Sequence, residues 1–500
     1  MSELLRGGRL APTRKDVADF TSSLKDDVRI MKHVININKA HTLMLVEKKI
    51  IRKDDGREML KALQGLGGQV ELKDEVEDIH MAVEEAVIKA VGMEVGGNLN
   101  LAKSRNDQVA TAVRMQLREE ILELMDSILQ LHESLLAKSK EETGSIIPGY
   151  THLQPAQPIT FAHYLTAQFD ALDRDLKRLK EAYSRVNLCP MGAAALATTS
   201  FPISRERVSE LLGFSGLVEN SLDAVSSRDF LLEVLAIFSI MSVDLTRFVE
   251  DLIIWSAMDF GIIELPDEFT STSSIMPQKK NPEVLEVIRA RMSLIIGNFF
   301  SAASVLKALP SGYNLDFQEV TPKLWGSIDL IKSSLKILSA LLPKIKVKPD
   351  FLDKPYLTFM TATELANILV KKHGIPFRTA HKIVGALVKT LVDEGKSLKD
   401  LTPKLLEEAS KKFLPHPVKI SLKELREAVD PSIFVESHRV RGGPSKEEVK
   451  RMIALREETL TLSKRWVQEE KRRLVEAIDA LNSEIESFLE GEVVKANCRP

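Results

Sequence analysis

Apolar residues recur at helical spacing through the middle of the chain. Leu117, Ile121, Leu124, Ile128, Leu131 and Leu135 alternate steps of four and three, the period of one helix face. Leu122, Met125, Leu129 and Leu136 widen that stripe, which predicts a helix buried on more than one side. Gly144, Pro148 and Gly149 mark its end. A second helix is predicted from Leu165, Phe169, Leu172, Leu176, Leu179 and Tyr183, and a third over about 221–258. A fourth is expected to start at Asn281 as N-cap, with Pro282 at its first position and a stripe of Leu285, Ile288, Met292, Ile295 and Phe299. A fifth is expected over about 323–342. Almost no segment alternates as a strand would. The fold class is therefore all-α, with a long central helix bundle.

Shorter helical patterns broken by glycine precede the bundle, and helices separated by Pro and Gly follow it. This divides the chain into an N-terminal helical domain (1–105), a central long-helix domain (106–356) and a small C-terminal helical domain with a charged tail (357–500). The tail, about 445–490, reads most simply as a solvated helix or helix pair. The apolar faces of the bundle are too wide for one subunit to cover, so a homo-oligomer is expected.

Composition narrows the function classes. The 500 residues are 44% hydrophobic and 28% charged, with net charge −2. This gives no global signal for nucleic acid or membrane. Asp251, Asp259 and Glu264 interrupt the best candidate for a membrane span. The two cysteines, Cys189 and Cys498, match no metal spacing or disulfide framework, and the first residues lack the apolar run of a signal peptide. A cytoplasmic protein is expected. Aromatic residues are only 5%, so aliphatic side chains must do the packing.

Four polar clusters lie between the helices. Ser104-Arg105-Asn106-Asp107-Gln108 stands at a helix start, where anions are attracted and Arg105 adds a bidentate donor. The same residues would equally serve as an ordinary N-cap. Gly149–Pro158 forms a proline-stiffened loop around Thr151 and His152, a candidate acid, base or orienter or a structural loop histidine. Ser271–Pro282 combines hydroxyls with lysines, so Ser273 or Ser274 could take a proton from carbon while Lys279 holds developing charge. Glu286, in the helix that follows, faces back as a possible partner of His152. Ser311–Glu319 offers Tyr313, Asn314 and Gln318 for a polar substrate. Each cluster alone is also compatible with a plain surface loop or turn.

Taken in order, these segments resemble the fumarase/aspartase superfamily, whose GSSxMPxKxNP signature stands here as Thr272–Pro282. Within it, SRNDQ (104–108), YTHLQPAQP (150–158), EDIHMAVE (77–84), NSLDAVSSRDF (220–230) and GIPFRTAH (374–381) resemble the argininosuccinate lyases. The resemblance covers roughly residues 6–445. It implies a homotetramer whose central helices form a twenty-helix bundle, with each active site shared by three subunits. It implies cleavage of argininosuccinate to arginine and fumarate by β-elimination, without cofactor or metal.

By position, the resemblance makes Ser273 the catalytic base, with Lys279 and Asn281 supporting the carbanion. His152 becomes the acid or orienting group, with Glu286 as its partner. Ser23, Ser104, Arg105, Asn106, Thr151, Tyr313 and Gln318 become substrate contacts. The chain departs from the pattern at Thr272, where the signature has Gly. It also departs at Asn100, Ala102 and Lys103, where the family has His, Gly and Arg. Leu315 stands for Arg and Thr321 for Lys, with Lys323 two positions on as a conceivable substitute. The alternatives are a fumarate-releasing lyase acting on adenylosuccinate, aspartate or malate, or a non-catalytic structural homologue.

Overall fold

The computed structural model describes residues 11, 13–68, 70 and 77–491. Cys498 and the opening residues 1–10 lie outside them. The first long helix, Arg105–Glu141, begins in a full capping box. Ser104 Oγ accepts the Asn106 N–H, and Asp107 Oδ1 accepts the Ser104 N–H at 3.0 Å. Its wide stripe is buried as the pattern requires, with Leu117, Ile121, Leu124, Ile128, Leu131 and Leu135 all at 0% exposure. The second long helix, Phe161–Val186, is capped by Thr160 Oγ1, which accepts the His163 N–H at 3.0 Å.

Three boundaries differ from the expected ones. The third helix is two pieces, Ser221–Ser226 and Asp229–Ser256. Between them Ser227 is extended, at φ −72° and ψ 137°. The fourth helix runs Glu283–Leu306, and Asn281 does not cap it. Pro282 itself stands at the cap position, at φ −82° and ψ 46°, and no side chain caps the helix there. Asn281 instead pairs with Ser271, and Lys280 with Thr272, in a two-residue antiparallel ladder that closes the 271–282 loop. The fifth helix starts earlier, spanning Phe317–Leu341 through Pro322. Pro322 leaves only the Gln318 carbonyl without its helical N–H, and that lies in the first turn, where the disruption is small.

The proline-rich 146–160 segment is a β-hairpin rather than an irregular loop. Ile146–Thr151 pairs with Gln154–Thr160, and the two-residue turn is His152-Leu153 at φ 55° and 56°. Two positive φ values in sequence match the twist of a tight hairpin. Prolines 148, 155 and 158 are tolerated because a two-stranded ribbon consists only of edges.

The C-terminal tail is one 45-residue helix, Lys446–Glu490. It is not simply solvated. Val467, Leu474, Leu481, Ile485 and Phe488 are buried in the same core as the first long helix. Lys471 and Lys464 of the tail pair with Asp126 and Glu133 of that helix. A separate small core, from Leu365 to Ala428, holds the helices between the bundle and the tail. No helix among the described residues is long and apolar enough to cross a membrane.

Candidate active site

Four of the expected residues, Ser23, Arg105, Tyr313 and Gln318, line one cleft where the N-terminal segment meets the starts of the first and fifth long helices. Ser23 Oγ donates to Asp27 Oδ2 at 2.6 Å, one helical turn on. Gln318 Nε2 donates to the Thr21 carbonyl at 3.2 Å and ties this segment to the fifth helix. Arg105 Nε lies 3.0 Å from Asp78 Oδ2, and its Nη1 lies 3.6 Å from Glu77 Oε1. Its charge is thus largely met by acids within the chain. Asp78 also caps the helix Ile79–Val91 by accepting the Met81 N–H at 2.9 Å.

Burial pushes the Asp27 carboxyl up to about 7, partly countered by the Ser23 hydroxyl and reinforced by the negative charge of Asp78. Tyr313 packs edge-on against Phe317, with centroids 5.5 Å apart. Burial raises its phenol, while Arg228 and Arg105 act the other way. Sequence reasoning did not single out Asp27, Asp78 or Arg228, though all three line the cleft. Their signals were faint. Asp27 sits four residues after Ser23, while Asp78 and Arg228 lie inside segments quoted only for their resemblance.

Ser104 and Asn106 do not line the cleft. Ser104 is engaged in its capping box, and Asn106 Nδ2 donates to the Ala195 carbonyl at 3.1 Å. Asp107 is buried and accepts the N–H groups of Gly192 and Ala194 at 3.0 and 2.8 Å, pinning that loop to the helix start. Burial holds the Asp107 carboxyl near 6. Ala102 adopts φ 61°, a conformation suited to glycine, and the Lys103 ammonium is buried against Asn38. Leu315 and Thr321 both line the cleft, whereas Lys323 does not.

The remaining candidates form a second group. Thr151 and His152 are exposed at the hairpin tip, and Lys279 and Glu286 are exposed at and after the 271–282 loop. Ser273 Oγ accepts two backbone N–H groups, from Ile275 at 3.3 Å and Met276 at 3.1 Å. Donors aimed at a hydroxyl oxygen favour its deprotonated form, which is what a serine base requires. Asn281 is held in the ladder at the foot of the same loop. Among the described residues, no hydrogen bond or ion pair joins this group to the cleft, or Glu286 to His152. No three His, Cys, Asp or Glu side chains there converge as a metal site would require.

Comparison with known proteins agrees along nearly the whole chain. A lyase family model matches residues 8–297, and an argininosuccinate lyase C-terminal model matches 359–436. An argininosuccinate lyase of Methanosarcina mazei is 41% identical over 98% of this chain and 99% of its own length. One of Methanothrix thermoacetophila is 44% identical over 98% of each. Among solved structures, an EDDS lyase in complex with formate superposes with TM-score 0.86 at 27% identity, covering 98% of this chain and 99% of that one. A class II fumarase of Schistosoma mansoni, 18% identical, shares the fold with TM-score 0.70 over 85% of this chain and 95% of its own. By its sequence and its fold, the chain belongs to the argininosuccinate lyase family of the fumarase/aspartase superfamily.

Proposed function

We propose that the protein cleaves argininosuccinate to arginine and fumarate by β-elimination, as a step of arginine biosynthesis. The observation that carries this reading is Ser273, whose Oγ is already held by two backbone N–H groups in an exposed loop beside Lys279 and Asn281. Ser273 takes the proton from the succinyl carbon next to a carboxylate. The carbanion's charge spreads onto that carboxylate, and Lys279 with the Asn281 amide stabilises it. The C–N bond then breaks, its electron pair going to the guanidino nitrogen. A proton reaches that nitrogen from His152 or from a group His152 orients, with Glu286 as the histidine's partner. Water must be excluded for a serine to act as base, so the 271–282 loop closes over the substrate. These steps call for no cofactor and no metal.

In this reading the cleft of Ser23, Arg105, Tyr313 and Gln318 holds the substrate, with Ser104, Asn106 and Thr151 completing the contacts. The two groups of residues meet only when other copies supply the hairpin tip and the loop. A cytoplasmic homotetramer with each site built from three subunits satisfies that need. Product analysis tests the function. Purified protein given argininosuccinate should release fumarate and arginine in equal amounts. Fumarate with AMP from adenylosuccinate, and none from argininosuccinate, would reject it. No fumarate from any succinylated amine would make the protein a structural homologue.

A further inference from the structure

The turn that leads into the first long helix is held from the interior by polar side chains that no proposed step uses. His41 Nε2 lies 2.7 Å from the Leu101 carbonyl, and Gln108 Nε2 donates to Asn100 Oδ1 at 3.3 Å. At the centre is Lys103, whose side chain is buried. Groups from three helices face its ammonium. They are Asn38 and His41 on Met31–Glu47, His80 and Glu84 on Ile79–Val91, and Asp107 on Arg105–Glu141. Its hydrogen bond goes to the neutral Asn38 Oδ1, and no ion pair joins it to a carboxylate among the described residues. Asn38 is fixed for this role, because its Nδ2 donates to the Val34 carbonyl at 2.8 Å and leaves the oxygen for Lys103.

A buried ammonium with one neutral partner is costly to keep charged. Lysine has an escape that arginine lacks, since it can shed its proton. Burial lowers the Lys103 ammonium to about 7, with Asp107 and Glu84 acting the other way. The neighbouring imidazoles do not compete for that proton. Burial, helped by Lys103, holds His41 near 3. Burial holds His80 near 4 against the pull of Asp78, with Arg105 and Lys103 adding to the lowering. Asp107 connects the cluster to the residues in front of it. Its Oδ1 accepts the Ser104 N–H, its Oδ2 accepts those of Gly192 and Ala194, and Asn106 Nδ2 donates to Ala195 in the same loop. Without its proton, Lys103 can still donate to Asn38, but it no longer attracts Asp107 and Glu84.

We propose that Lys103 is a positioning residue, whose protonated side chain draws the turn against Asn38 and Asp107 and so fixes how Arg105 and Asn106 leave the helix start, while loss of the proton slackens that hold. This rests on Arg105 and Asn106 as substrate contacts in the reading above. An arginine at 103, which the resemblance expects, keeps its charge and gives no such response to pH.

Two variants freeze the two states. Lys103→Arg stays charged, and Lys103→Met is never charged. KM for argininosuccinate is measured across neutral pH in all three proteins. The ratio of wild-type KM to that of Lys103→Arg should be near one below about pH 7 and rise roughly tenfold above it, the scale of one hydrogen bond to a charged group. The ratio of Lys103→Met to wild type should fall to near one over the same span. Limbs that all three share, that of Asp27 included, cancel in these ratios. A merely structural lysine would lower the melting temperature of Lys103→Met and leave both ratios flat with pH, which would overturn the proposal. If Lys103→Met does not fold, Lys103→Arg decides, and a ratio there that does not change with pH refutes it. Amide exchange reads the hold without substrate. Compared at one pH above 7, the Ser104, Gly192 and Ala194 N–H groups should exchange faster in wild type than in Lys103→Arg. That difference in a wild type that releases no fumarate would sustain the positioning and reject the elimination. Equal exchange would reject the positioning whatever the wild type catalyses.

Discussion

Ala102 holds a left-handed backbone just before the first long helix. A Cβ in that region costs roughly 1 kcal/mol. Ala102→Gly should therefore raise stability, read as a higher melting temperature, although glycine's greater unfolded freedom trims the gain. A lowered melting temperature would show that no strain is stored there. At Ser273 the expectation is kinetic. Ser273→Ala should reduce turnover by roughly 10²–10⁴, the scale for losing a general base, without changing the assembly. Turnover close to wild type would remove Ser273 from the role.

Asp27 brings pH into the site. Its carboxyl titrates near 7 in the folded chain, against about 3.9 unfolded. Between those values the folded chain binds more protons, so this residue's contribution lowers stability as pH rises from about 4 to about 7, and is flat above. Binding runs the other way. Asp27 lines the proposed substrate cleft, and its ionised form would attract the ammonium of argininosuccinate, so KM should fall as pH rises through about 7. Asp27→Asn should flatten that limb of a KM–pH profile. A limb of the same size in the variant would assign the titration to another group.

Among the elements, the stripes predicted the long helices well, because a period of 3.6 in aliphatic residues survives any context. What periodicity could not reach were the joints. The break at Ser227-Arg228 hides inside a helical pattern, since Leu222, Val225 and Leu232, at steps of three and seven, keep one apolar face across it. The hairpin hid behind its prolines, which usually argue against strands. Its tip uses His152-Leu153 where Asn-Gly would have signalled the turn. Ser273, His152 and Lys279 are proposed for the chemistry because their segments carry a known signature. The cleft residues Asp27, Asp78 and Arg228 carry no such signal, because only folding sets them beside Ser23 and Tyr313.

The tail helix was misjudged because its charged residues outnumber a thin apolar stripe. Leu481 is fully buried while Leu462 is 58% exposed on the same helix. Leu481→Ala should cost roughly 3 kcal/mol and Leu462→Ala almost nothing. Thermal melts of the two variants check this, and equal melting temperatures would return the tail to a solvated role.

At the scale of the whole molecule, Ile240, Val243, Val287, Leu294 and Phe300 remain exposed along the third and fourth long helices. A face of that kind, beside a site whose halves do not meet, is the strongest argument for assembly. Leu294→Glu should yield smaller oligomers by light scattering and lose activity with them. Unchanged mass would move the interface elsewhere. Inactive variants at His152 and Ser273 should recover part of their activity when refolded together, and no recovery would count against shared sites.

The Lys446–Glu490 helix runs along the first long helix and ends with Phe488 beside Lys53 and Arg57 near the start of the chain. Protein synthesis reaches it only after every proposed catalytic residue. At about 5–20 residues per second, those 45 residues take roughly 2–9 s to appear. Until then the groove they fill stays open, and the nascent chain displays core leucines to its surroundings. A chain that stopped before this helix would therefore carry every proposed catalytic residue and an unsealed core. Such a product would be a substrate for chaperones and proteases before it could become an enzyme.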